Sequence, residues 1–186
     1  MAVVPHARPD TSGPNVRIVD MRRRHLRAVT RIEGAVCPRP WSIGLFLSEL
    51  AATNRRYLVA RAAGAVVGYG GVMVGAGEGH VTTLAVDPAW QRRSVGSRLL
   101  LALVEWGLDQ GCSGLTLEVR MGNLGAQALY RRFGFVPAGV RAGYYAETNE
   151  DALIMWAHDV SEPAYAERLK AIAARLSAAG TTGGDV

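Results

Sequence analysis

The chain predicts a mixed α/β (α+β) domain, and three observations carry the prediction. Short runs of β-branched and apolar residues at 81–86 and 115–120 sit between turn residues and read as strands. Elsewhere apolar residues recur every three or four positions, as Val95, Leu99, Leu103 and Trp106 do, which reads as helix. The 186 residues are 49% hydrophobic and 20% charged, enough for one core and too apolar for a disordered chain.

Residues 1–15 carry Pro5, Pro9 and Pro14 with little apolar content and read as a disordered leader. Residues 16–20 form a short strand and 22–36 a helix, with Leu26, Val29, Glu33 and Val36 along one side. Arg22, Arg23, Arg24, Arg27 and Arg31 make a basic, solvated face on it. Pro38 and Pro40 end that helix, and Ser42 is placed to cap a second one over Ile43–Ala51. Strands at 57–62 and 65–74 flank Ala63-Gly64 as a hairpin. Gly68, Gly70 and Gly71 inside the second strand mark a bulge or a close backbone approach. Residues 75–79 read as a loop.

Residues 81–101 are the informative stretch. The strand at 81–86 is broken by Asp87-Pro88, because proline has no N–H for a ladder. A basic, small-residue turn follows, Gln91-Arg92-Arg93-Ser94-Val95-Gly96-Ser97, and then a helix that ends near Gly111. The first turn of a helix leaves backbone N–H groups unpaired at the positive end of its dipole. With Arg92, Arg93 and Arg98 close by, such a device favours a polyanion, above all a pyrophosphate. The P-loop pattern and an intact G-x-G-x-x-G are both absent.

Downstream, 115–120 is a strand and 123–132 a helix with Ala126, Leu129, Tyr130 and Phe133 inward. Gly134 stops that helix. Strands at 135–141 and 152–158 enclose a loop at 142–151 that holds Tyr144 and Tyr145. A final helix at 161–177, capped by Ser161 with Pro163 in its first turn, carries the stripe Tyr165, Leu169, Ile172 and Leu176. That stripe covers either the domain's own sheet or a second subunit, so monomer and homodimer both stand. The expected layout is one domain over 16–160, an appended helix over 161–178 and a disordered tail over 179–186.

The apolar strand, Asp-Pro and Gln91-Arg92-x-x-x-Gly96 resemble the coenzyme A pyrophosphate loop of the GNAT superfamily of N-acetyltransferases, with Ser94 where that loop has its first glycine. Serine adds a Cβ, and also a hydroxyl suited to a phosphate oxygen or to capping the helix. Leu117-Glu118-Val119-Arg120, Asn123, Leu129-Tyr130, Gly134-Phe135, Tyr144-Tyr145, Glu150-Asp151-Ala152 and Trp41-Ser42 resemble the RimI type in particular. Those enzymes acetylate the N-terminal alanine of a ribosomal protein. The resemblance implies the GNAT fold, a mostly antiparallel twisted sheet of about seven strands flanked by helices. It implies acetyl-CoA as co-substrate, a protein or peptide N-terminus as acceptor, and a cytoplasmic enzyme.

The resemblance also assigns roles. Glu118 is the base and Tyr130 the acid that protonates the leaving thiolate. Leu84, Ala85 and Val86 line the pantetheine arm, with the Val86 N–H as an oxyanion-hole donor. Gln91, Arg92, Arg93, Ser94, Val95, Gly96 and Ser97 hold the pyrophosphate, and Asn123 and Tyr130 complete the cofactor site. Trp41, Tyr144, Tyr145 and Glu147 wall the acceptor groove, since an aromatic ring with a polar tip suits such a wall. Read without the resemblance, Glu118 is a surface carboxylate paired with Arg120 or another arginine, Tyr130 and Trp41 are core residues, and Asn123 is a helix cap.

An α-amine has a pKa of about 8 and a lysine amine about 10.4, so an N-terminal acceptor needs only a modest base. Two other functions compete: transfer to a small amine or a lysine side chain, and a coenzyme A-binding module with impaired catalysis, marked by Ser94. The net charge of +5 permits nucleic-acid contact, but no basic run is interleaved with aromatics, so none is expected. No apolar run is long enough to span a bilayer. Cys37 and Cys112 match no C-x-x-C pattern and read as free thiols; His6, His25, His80 and His158 show no ligand spacing, so no metal is expected.

Overall fold

The computed structural model describes residues 16–181, with side chains through 178; the expected leader and residues 182–186 lie outside the described residues. In chain order the elements are β1 (Arg17–Asp20), α1 (Leu26–Val36), α2 (Ile43–Ala51), β2 (Arg55–Ala62), β3 (Ala65–Gly75), β4 (Glu78–Val86), α3 (Val95–Asp109), β5 (Gly114–Arg120), α4 (Leu124–Arg132), β6 (Val136–Tyr145), β7 (Glu150–Ala157) and α5 (Pro163–Thr181). The strands make one seven-stranded sheet in the order β1-β2-β3-β4-β5-β7-β6.

Every neighbouring pair is antiparallel except β4 and β5. Those two run parallel and pair only at Glu78 with Gly114, Gly79 with Leu115 and His80 with Thr116. A Cβ on Gly79 would lie 2.5 Å from Leu115 Cδ2, so only glycine lets the strands close at that point. Beyond His80 the strands part, and the sheet is split between the ends of β4 and β5.

Two cores follow from the two faces. On one face α3 buries Val95, Leu99, Leu100, Leu103 and Val104 against Leu58, Val72, Leu115 and Leu117. Burial of such side chains contributes roughly 1.5–3 kcal/mol each. Tyr165 and Leu169 of α5 join this core and Leu176 is also buried, so the last helix covers its own domain. On the other face α1 and α2 pack Leu26, Val29, Ile32 and Phe46 onto Tyr57, Val59 and Tyr69.

The structure departs from the sequence reading in a few places. The loop expected at 75–79 is instead a tight hairpin turn at Ala76-Gly77, with φ of 52° and 79°, and β4 begins at Glu78. Two left-handed residues make the turn whose twist suits paired strands. Residues 142–145 are strand rather than loop, so Tyr144 and Tyr145 stand on β6. They looked irregular because the register shifts between Arg141 and Tyr145, where the Gly143 N–H donates to the Asp151 side chain at 2.8 Å. The first helix opens with a 3-10 turn at Arg23–His25. Helix α5 starts at Pro163, so Ser161 is not its cap, and it runs on to Thr181 through residues expected in the tail.

Candidate active site

The turn after β4 is built from strained backbone. Arg92 and Ser94 both hold left-handed conformations, with φ of 62° and 60°. Ser94 is the N-cap of α3, yet its hydroxyl makes no capping bond, which removes one of the two uses foreseen for it. The Arg98 N–H bonds the Ser94 carbonyl at 3.0 Å. The N–H groups of Val95, Gly96 and Ser97 precede that first helical bond and stay available. A Cβ on Gly96 would meet Leu129 Cδ2 at 3.4 Å, so this glycine keeps the helix start close to α4.

A cleft of about 750 Å³ opens at this helix end. Leu84, Val86, Gln91, Arg92, Ser94, Val95, Gly96, Ser97, Asn123 and Tyr130 all line it, so most of the expected cofactor residues meet in one place. Three arginines and one alanine need correction or addition. Ala85 is buried in the core on the opposite face of the sheet, because strand side chains alternate. Arg93 lies over the Trp90 ring, 5.2 Å from its centroid, and does not line the cleft. Arg98 turns away to the Leu176 carbonyl of α5 instead of adding charge at the turn. Arg132 was missed: it lines the cleft and its Nη2 lies 3.5 Å from Ser97 Oγ. It follows Tyr130 by two residues, and the helical period alone did not bring it toward the turn.

Backbone alternation orients the free edge of β4. The Asp87 N–H donates to the Val67 carbonyl on β3 at 2.9 Å. Polar groups of alternate residues point to the same side, so Ala85 also faces β3 while Leu84 and Val86 face the parting with β5. The Val86 carbonyl accepts from Gln91 Nε2 at 3.3 Å.

Tyr130 is 7% exposed and packs edge-on against Phe135 at 5.9 Å between centroids. Burial pushes its phenol well above the ordinary range, and nearby Tyr145 adds to the effect. It is therefore a core residue and a cleft residue at once. Asn123 Oδ1 caps α4 by accepting the Ala126 N–H at 3.1 Å, which leaves its amide NH₂ toward the cleft.

The other expected residues gather on the α1/α2 face. On β5, Leu117 and Val119 are buried toward α3, so Glu118 points the opposite way and does not line the cleft. Its carboxylate is not paired with Arg120. Glu118 Oε2 lies 3.1 Å from His80 Nε2, and Oε1 lies 3.3 Å from Arg141 Nη2. Arg120 instead binds Glu147 at 2.6 Å and Glu150 at 3.1 Å, and its guanidinium covers the Tyr145 ring at 3.8 Å. Burial pushes the Tyr145 phenol up to about 12, Arg120 opposes this, and Tyr144 and Glu118 reinforce it. Tyr145 is thus within electrostatic reach of both Glu118 and Tyr130.

Tyr144 is 47% exposed and stands edge-on to Tyr145 at 5.1 Å. Trp41 is half-buried with its ring 5.3 Å from that of Phe46, so it packs on the core from the loop after α1. Arg39, in the same loop, adds to the arginines that hold the Glu147 carboxyl below its ordinary range; the largest cause there is a backbone hydrogen bond.

Glu33, which the sequence placed on the apolar side of the first helix without a role, is a buried hub. It is 3% exposed, on the apolar side of α1. Its carboxylate accepts from the Tyr69 hydroxyl, from the Trp41 N–H at 3.2 Å and from Cys37 Sγ at 3.2 Å. Buried carboxylates need such partners, and these tie the loop after α1 to the sheet. The Cys37 thiol is pushed up to about 12 by burial and by Glu33, and burial also raises Cys112, so both are poor nucleophiles. Among the described residues no cluster of three or more metal-ligating side chains occurs, and no helix is long and apolar enough to cross a membrane.

Comparison with known proteins gives this geometry a context. A family model described as the acetyltransferase (GNAT) family matches residues 26–135. The chain is similar to the N-alpha-acetyltransferase RimI of Mycobacterium tuberculosis, 41% identical over 62% of this chain and 74% of that protein. It is similar to the ribosomal protein bS18-alanine N-acetyltransferase of Escherichia coli, 34% identical over 74% of this chain and 94% of that protein. The crystal structure of the ribosomal-protein-S18-alanine N-acetyltransferase from Escherichia coli superposes with a TM-score of 0.71 at 31% identity, covering 77% of this chain and 94% of that one.

Proposed function

This chain belongs to the GNAT acetyltransferase family and is of the RimI type, and we propose that it acetylates the N-terminal α-amine of a protein beginning with alanine, a ribosomal protein. One observation carries the reading: the sheet parts between β4 and β5, with a cleft at the basic turn and the start of α3 on one face and the Glu118 carboxylate within electrostatic reach of Tyr145 on the other.

The donor set on the α3 face fits coenzyme A. The N–H groups at the start of α3, with Arg92 and Arg132, suit a pyrophosphate. The open edge of β4 at Leu84 and Val86 suits the amides of a pantetheine arm, in the manner of an added strand. When bound, acetyl-CoA supplies an activated acyl thioester. The chain's own groups then do four things. The Val86 N–H polarises the acyl carbonyl. Glu118 takes a proton from the acceptor nitrogen, a contribution typically of about 10² to 10⁴-fold. Tyr130 donates to the departing thiolate; burial keeps its phenol protonated throughout the neutral range. Trp41, Tyr144, Tyr145 and the Arg120-Glu147 pair wall the acceptor groove. Neither cysteine lines the cleft, so the transfer is direct and uses no cysteine intermediate. In keeping with its family we assign the enzyme to the cytoplasm, as a monomer or homodimer.

The test offers acetyl-CoA with peptides that begin with Ala and carry one internal Lys. Mass spectrometry is expected to find one acetyl group on the α-nitrogen, and none once that amine is blocked. Acetylation of the lysine, or of free polyamines in preference to the peptide, contradicts the reading; coenzyme A binding with no transfer to any amine leaves only a binding module.

A further inference from the structure

We propose that His80 is a positioning residue for the transfer, holding the Glu118 carboxylate at the point where the sheet splits. This rests on the function proposed above and adds a residue that no pattern in the sequence singled out.

The argument begins with register. His80 and Thr116 form the last pair of the short parallel ladder between β4 and β5. Glu118 is two residues further along β5, on the same face as Thr116, so it is the diagonal neighbour of His80. Along that edge β5 has lost its partner strand, and nothing in the ladder fixes a side chain there. A glutamate with three free torsions would spread over several rotamers and seldom present its oxygens in one place. The imidazole spans the diagonal: Nε2 is 3.1 Å from Oε2, while Arg141, reaching across β7 from β6, sits 3.3 Å from Oε1. Both carboxylate oxygens are thereby held from opposite sides.

Burial fits the role. The Glu118 side chain is 10% exposed and that of His80 28%, so the contact lies at the rim of the groove and not in the bulk solvent where surface pairs contribute little. Met73 on β3 and Thr116 on β5 are the uncharged residues opposite His80. Glu118 is its only ion-pair partner among the described residues. The arrangement follows the general logic of a proton acceptor oriented by a second side chain.

The test is a double-mutant cycle on the full chain with acetyl-CoA and an Ala-first peptide. His80→Ala is expected to lower kcat about 10-fold or more, with KM for acetyl-CoA and its calorimetric affinity within about twofold of wild type. His80→Gln, which keeps an N–H donor of similar reach, is expected to recover most of the lost rate. In a Glu118→Gln background His80→Ala is expected to have no further effect, because it acts through that carboxylate. Wild-type kcat in His80→Ala overturns the proposal, and so does an equal loss in the Glu118→Gln background, which marks a general structural role. Absence of transfer by the wild-type enzyme is a different result: it removes the proposed function itself.

Discussion

Ser94 carries a side chain at φ 60° and ψ 9°, where residues other than glycine are disfavoured by about 1–2 kcal/mol. No hydroxyl bond offsets this strain within the chain, since the side chain caps nothing. Ser94→Gly is therefore expected to raise Tm, by up to about 4 °C for a domain of this size, as relieved strain outweighs the added freedom of the unfolded chain. A clear fall in Tm, measured by calorimetry without ligand, shows that the hydroxyl makes a bond the geometry lacks. At this scale the sequence was partly legible. The turn residues, Tyr130 and Asn123 were named in advance because each belongs to a motif with fixed spacing, and all of them except Arg93 line one cleft. Arg132, Glu33 and His80 were given no role, because their partners come from other elements: Ser97 on α3, Tyr69 on β3 and Glu118 on β5. No local pattern encodes a contact made by tertiary packing.

The hairpin of β3 and β4 shows how backbone and side chain settle the shape of the groove. Register shifts at Gly71/Val72, leaving Thr82 as the extra residue on β4. Gly71 faces the Tyr57 ring so closely that a Cβ would lie 2.3 Å from Cε1. That ring is not free to move, because its hydroxyl donates to Glu49 Oε2 at 2.5 Å and lies 3.1 Å from Thr82 Oγ1. Gly71→Ala is thus expected to destabilise the fold by about 1–3 kcal/mol, through displacement of the ring and loss of its tie to α2. Chemical denaturation checks this, and an unchanged midpoint means that the ring has room to shift. The glycines of β3 announced a close approach in advance, and the approach is there. The turn at Ala76-Gly77 did not announce itself, although it repeats the Ala-Gly pair of Ala63-Gly64, where φ is 49° and 78°. Four glycines among residues 71–79 blurred where strand ended and turn began. The end of β6 was obscured differently, by the Asp151 side chain standing in for a ladder partner.

At the scale of the whole molecule, one device organises the rest: a sheet that closes at Gly79 and His80 and then opens. Each face of the opening has its own chemistry. Helix α3 brings N–H groups to one, joined by Arg92 of the turn before it and Arg132 of α4, while α1, its following loop and the β6-β7 hairpin bring carboxylates and aromatic rings to the other. Helix α5 lies outside both, covering α3 and taking Arg98 out of the turn. The order of strands and helices was readable from periodicity, and the resemblance supplied the roles. The split itself was not readable, since parallel pairing over only three residues leaves no mark in a sequence.

The most direct measurement is a crystal structure with a bisubstrate ligand, coenzyme A joined through its sulfur to the α-nitrogen of an alanine-first peptide. The account predicts the pyrophosphate at Val95–Ser97 on the α3 face, the peptide between Trp41 and Tyr144 on the other, and the linker passing between β4 and β5 within reach of Glu118 and Tyr130. A ligand bound wholly on one face, or seated away from the opening between these strands, contradicts it.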